Sequence, residues 1–137
     1  MALSLTANNG LIDAVSLASF DRQLLNLPEA PGDTVEFRGW TAFACTLTAV
    51  EVYCATVNTT GTYTLTVTNN ATGNTVLNAA SFDMNTLTAN TVTVLTLTST
   101  SADLDFAARD RWTVSLASND AGMDASGVYI SLHFTSA

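Results

Sequence analysis

From residue 62 to 68 the chain reads Thr-Tyr-Thr-Leu-Thr-Val-Thr, with a β-branched polar residue at every second position. Successive side chains of a strand point to opposite faces, so this order makes one wet face and one buried face. A helix needs apolar residues three and four apart, and here they recur at spacing two. Threonine is stiff at χ1 and packs well on a pleated surface. The alternation predicts an all-β protein whose polar faces are hydroxylic rather than charged.

The same reading places about eight strands, at 11–18, 34–37, 43–57, 62–68, 75–82, 91–98, 111–117 and 127–135. Turn formers separate them at 28–33, 58–61, 69–74, 99–110 and 118–126. Residues 1–10 read as an extended arm, and 11–137 as one antiparallel β-sandwich domain of jelly-roll or Greek-key type. In 43–57, Val50, Val52 and Cys54 share one face, and Glu51, Tyr53 and Ala55 share the other. Trp112, Val114 and Leu116 point inward, as do Val128, Ile130, Leu132 and Phe134, which leaves Tyr129, Ser131 and His133 outward. Within 91–98, Val92 and Val94 lie on one face but Leu95 and Leu97 on the other. That change of phase predicts a bulge or a strand buried on both sides.

Composition narrows the function classes. Of 137 residues only 12% are charged, there is no lysine, and the net charge is −8. Such a surface repels phosphate backbones and anionic membranes, so neither nucleic acid nor membrane is an expected partner. Without lysine there is no Schiff-base or P-loop chemistry. No apolar run approaches the roughly 20 residues of a membrane helix, and residues 1–10 lack the pattern of a secretory signal, which predicts synthesis in a cytoplasm. Cys45 and Cys54 on one strand would lie about 30 Å apart, too far for a disulfide, so both are expected as free thiols.

Candidate sites are few. His133 is the sole histidine, and no Gly-x-Ser-x-Gly elbow accompanies it, so no catalytic residue and no enzymatic activity are expected. Asp103, Asp105, Asp110, Asp120 and Asp124 enrich two loops in oxygen, but the EF-hand spacing is absent and acidic loops are commonly just solvated, so neither metal nor cofactor is expected. Asn58 and Asn70 begin glycosylation-type triplets that arise by chance in so Asn- and Thr-rich a chain. Tyr63 and Trp112 fall on inward faces. Trp40, Tyr53 and Tyr129 remain as candidate partner contacts or sugar-stacking platforms.

Several stretches carry a resemblance: Gly-Thr-Tyr-Thr-Leu-Thr-Val at 61–67, Thr-Val-Leu-Thr-Leu at 93–97, Asp-Arg-Trp-Thr-Val-Ser-Leu at 110–116, and Gly-Val-Tyr-Ile-Ser-Leu-His-Phe at 127–134. Over roughly residues 34–135 the chain resembles the head decoration (cement) proteins of tailed bacteriophages and related head-fibre domains. It departs from them where Arg109-Asp110 stands in place of a Gly-Asp turn. The resemblance implies a jelly-roll domain, often oligomeric, docked on the outer surface of a capsid and made in the host cytoplasm. Its implied partners are the major capsid protein and further copies of itself, as a trimer on threefold sites or a dimer on twofold ones. The arm 1–10 and the loop at 28–33, with Pro28 and Pro31, are the expected capsid contacts. The alternative is a carbohydrate- or receptor-binding module of a phage fibre that uses Trp40, Tyr53 and Tyr129.

Overall fold

The computed structural model describes residues 20–23, 28, 31–119 and 124–137, with the side chains of 20–23 excepted. The expected arm at 1–10 and strand at 11–18 lie outside them. The chain forms two antiparallel sheets that enclose one core. The first runs β1 (Phe20–Gln23), β10 (Ser126–Ser136), β3 (Cys45–Thr56), β7 (Thr93–Val94), with β8 (Asp105–Phe106) also on β3. The second runs β2 (Thr34–Trp40), β9 (Arg111–Ser118), β4 (Tyr63–Asn69), β5 (Asn74–Thr75), with β6 (Phe82–Asp83) also on β4. A 3-10 turn at Met84–Thr86 and one helical turn at Ser101–Leu104 complete the described elements.

Alternation builds the core. β4 buries Tyr63, Leu65 and Val67, and β9 buries Trp112, Val114 and Leu116. Facing them, β3 buries Val50, Val52 and Cys54 while β10 buries Val128, Ile130, Leu132 and Phe134. Threonines fill the alternate positions of β4, half-buried.

β3 carries an irregularity that sequence alternation did not predict. His133 pairs with Ala49 but Phe134 pairs with Leu47, so Thr48 is an extra residue on β3. The bulge brings Leu47 and Val50, three residues apart, onto the same inward face. Thr48 Oγ1 donates to the His133 carbonyl at 3.1 Å and seals it.

Two expected strands are corrected. Residues 75–82 do not form one strand: the ladder stops at Thr75, Leu77 makes an isolated bridge to Leu97, and β6 begins at Phe82. Residues 91–98 form a ladder only at Thr93–Val94. The Leu95 N–H then donates to the Val50 carbonyl at 2.8 Å, and the Thr98 N–H to the Val76 carbonyl at 2.8 Å. The segment therefore hands its hydrogen bonds from the first sheet to the 76–78 strip. That crossing accounts for the change of phase; the segment is not buried on both sides, since Val92 and Val94 are exposed and Leu95 is buried.

The loop at 99–110 is structured as well. Arg109 takes φ +72°, a left-handed conformation that costs a side-chain-bearing residue energy. It does so where the resemblance expects glycine. Around it, Thr41 N–H donates to the Asp110 carbonyl at 3.0 Å, Arg109 N–H to the Thr41 carbonyl at 2.7 Å, and Ala107 N–H to Asp110 Oδ2 at 2.7 Å.

Candidate functional site

The outward positions of β3 and β10 meet across the first sheet. Tyr129 is directly opposite Tyr53, and Ser131 is opposite Glu51, which in turn faces Val94 of β7. The two tyrosine rings stand edge to face, with centroids 5.9 Å apart and planes at 68°. Such a pair contributes about 0.5–1.5 kcal/mol beyond its buried area. Tyr53 is held from its far end, where its hydroxyl donates to Asn90 Oδ1 at 2.9 Å. Asn90 is itself fixed: it sits at φ +60° and its N–H donates to the Cys54 carbonyl at 2.9 Å.

These groups rim a shallow depression of about 310 Å³, lined by Glu51, Val52, Tyr53, Val92, Tyr129 and Ser131. Val92 is 57% exposed, so the rim carries apolar surface beside the aromatic pair, and Val94, across from Glu51 on β7, is 62% exposed. Glu51 Oε2 lies 3.1 Å from His133 Nε2, which fixes the carboxylate at one edge. The arrangement is a rigid face of mixed character: aromatic and apolar in the middle, one carboxylate and one hydroxyl at the margin.

The candidate residues thus divide. Tyr53 and Tyr129 come together. Trp40 lies on the other sheet, at the end of β2, and is 71% exposed. Phe43, half-exposed in the bend that follows β2, was not singled out from the sequence. Neither were Val92 and Val94, whose only signal was the break in phase. Pro31 is exposed and Pro28 is buried.

The acidic loops are used internally. Asp103 is buried and accepts from Asn74 Nδ2 at 2.9 Å; Asp105 Oδ1 accepts from Thr46 Oγ1 at 2.7 Å. Asp124 accepts from the backbone and hydroxyl of Thr59 at 3.1 and 3.2 Å. Among the described residues no three His, Cys, Asp or Glu side chains cluster as metal ligands would; Asp120 lies outside them. Asn58 is buried, donating to Asn85 Oδ1 at 3.0 Å and accepting from the Asp124 N–H at 3.1 Å, which makes it a loop tie rather than a glycan acceptor.

Both cysteines are free and buried. Burial pushes each thiol above its ordinary value, Cys45 more than the Thr41 hydrogen bond lowers it and Cys54 more than its backbone hydrogen bonds with Ser126 and Thr56 lower it. Neither has the lowered value of a reactive nucleophile. No family model, curated protein or solved structure matches the chain.

Proposed function

We propose that the protein is a virion structural protein, a decoration protein that docks on the outer surface of a tailed-phage head and stabilises the shell. The observation that carries this reading is the outward face of β3, β7 and β10, where Tyr53, Tyr129 and Val92 line a shallow depression and Val94, opposite Glu51, is exposed. Exposed apolar and aromatic groups gathered on one rigid face suit the core of a protein interface, and tyrosine is favoured there. The depression accepts a projecting apolar side chain of the major capsid protein. The strand orders β1-β10-β3-β7 and β2-β9-β4-β5, in which strands remote in sequence pair, support the jelly-roll form of the sandwich. The negative charge and absence of lysine suit the outside of a DNA-filled shell. In this reading the protein carries out no catalysis and needs no cofactor, and many copies act additively.

A second reading rests on the margin of the same depression. Glu51 and Ser131 beside the Tyr129 ring offer a carboxylate, a hydroxyl and a stacking face, the set a fibre module uses to hold a sugar. Cosedimentation with heads of the phage that carries the gene separates the two. Retention on heads supports decoration; bare heads together with retention on a glycan array would overturn it in favour of the fibre reading.

A further inference from the structure

The open edge of the second sheet carries a self-complementary pattern. Among the described residues β2 pairs only with β9, so its other side is a sheet edge seven residues long. The hydrogen bonds that flank the ladder set its phase. Ser118 N–H donates to the Asp33 carbonyl at 3.1 Å, and Thr41 N–H to the Asp110 carbonyl at 3.0 Å. Antiparallel ladders alternate, so the odd positions from 33 to 41 turn their backbone groups toward β9. The N–H and C=O groups of Thr34, Glu36, Arg38 and Trp40 therefore point to the open edge. The same four side chains lie on the outer face, all exposed.

An edge of this kind is a template for another strand. β2 holds no proline, no lysine and no bulge, and its register with β9 is unbroken. Its two charges, Glu36 and Arg38, now pair with each other along the strand. Suppose a second β2 lies antiparallel on a twofold axis through Phe37. Glu36 of each copy then stands opposite Arg38 of the other, and Thr34 opposite Trp40. All seven residues overlap, and about eight backbone hydrogen bonds form across the edge. A shift by one step in either direction puts Glu36 opposite Glu36, or Arg38 opposite Arg38, and like charges directly opposite destabilise a sheet. The charges thus select one register and one partner.

We propose that a second copy of this chain occupies the β2 edge, joining the two Thr34–Trp40 strands antiparallel about Phe37 into one continuous sheet. The contact is isologous, so it yields dimers and does not close a trimer. It stands apart from the docking face on the other sheet, so a dimer that ignores phage heads would refute the decoration reading and leave this one intact.

Charge reversal tests it in sedimentation equilibrium over about 1–100 μM, a range that brackets a micromolar contact. Glu36→Arg and Arg38→Glu each turn both charge contacts repulsive, and each raises the dimer dissociation constant roughly tenfold or more. The double exchange Glu36→Arg/Arg38→Glu restores opposite charges and returns the dimer, which a folding defect would not do. Mixing the two single variants forms a heterodimer, because one then carries only arginines and the other only glutamates. A wild-type monomer throughout, a trimer, or a dimer indifferent to all three variants would overturn the proposal.

Discussion

The indole of Trp112 packs on Gly39, directly opposite it in the β2–β9 ladder. A Cβ placed at Gly39 would come 2.2 Å from Trp112 Cζ2 and 2.6 Å from Cε2. The glycine is there for space: it lets a large ring lie inside the edge of the core, against an edge strand. Gly39→Ala must push the ring aside, and overpacking of this sort costs about 1–3 kcal/mol. Urea unfolding, with Trp40→Phe as background so that Trp112 alone reports, should show a lowered midpoint and altered native emission. An unchanged midpoint would mean that the indole has room to move.

Tyr63 is fully buried, and its hydroxyl is the one buried side-chain polar atom without a hydrogen-bond partner among the described residues. Its desolvation is uncompensated. Tyr63→Phe removes that cost and keeps the ring, so stability should rise by about 1 kcal/mol. Thermal unfolding checks it, and a loss of stability would reveal a bond that the hydroxyl makes.

Arg109 holds φ +72° in an exposed turn. Glycine adopts that conformation without strain but loses more chain entropy on folding. The first effect is the larger at a left-handed position, so Arg109→Gly should stabilise by up to about 1 kcal/mol. A destabilised variant would show that the arginine side chain contributes more than its backbone costs.

Cys45 and Cys54 have raised values in the folded state, with 9.0 as the ordinary one. Above that ordinary value the unfolded chain loses thiol protons that the folded chain retains, so the folded state binds more protons and stability falls as pH rises. Below it both states are protonated and the thiols add no slope. Stability of the wild type should therefore decline above pH 9, and Cys45→Ala/Cys54→Ala should decline less steeply. Parallel curves for the two proteins would assign the alkaline loss to other groups.

How much of this was legible follows from range. Tyr63, Trp112 and the set Val128 to Phe134 were readable as core because strand parity is local, and parity alone also turned Tyr53 and Tyr129 outward. That the two tyrosines meet was not readable. It depends on the register of β10 against β3, strands separated by most of the domain and shifted at Thr48 by a bulge. The break in phase between Val94 and Leu95 was visible, but its meaning, a passage from one sheet to the other, needs the partners Val50 and Val76. Phe43 looked like the start of a strand; its exposure comes from the bend that joins β2 to β3.

The tyrosine pair stands at the centre of the proposed docking face. The measurement that tests it is occupancy on phage heads by cosedimentation, comparing wild type with Tyr53→Ala/Tyr129→Ala. Both side chains face outward, so the variant should keep its fold by circular dichroism. The wild type should bind saturably and the variant should lose affinity by about 10-fold or more, as expected when aromatic anchors leave an interface. Equal occupancy of the two proteins would contradict it and move the contact elsewhere, to Trp40 and Phe43 first.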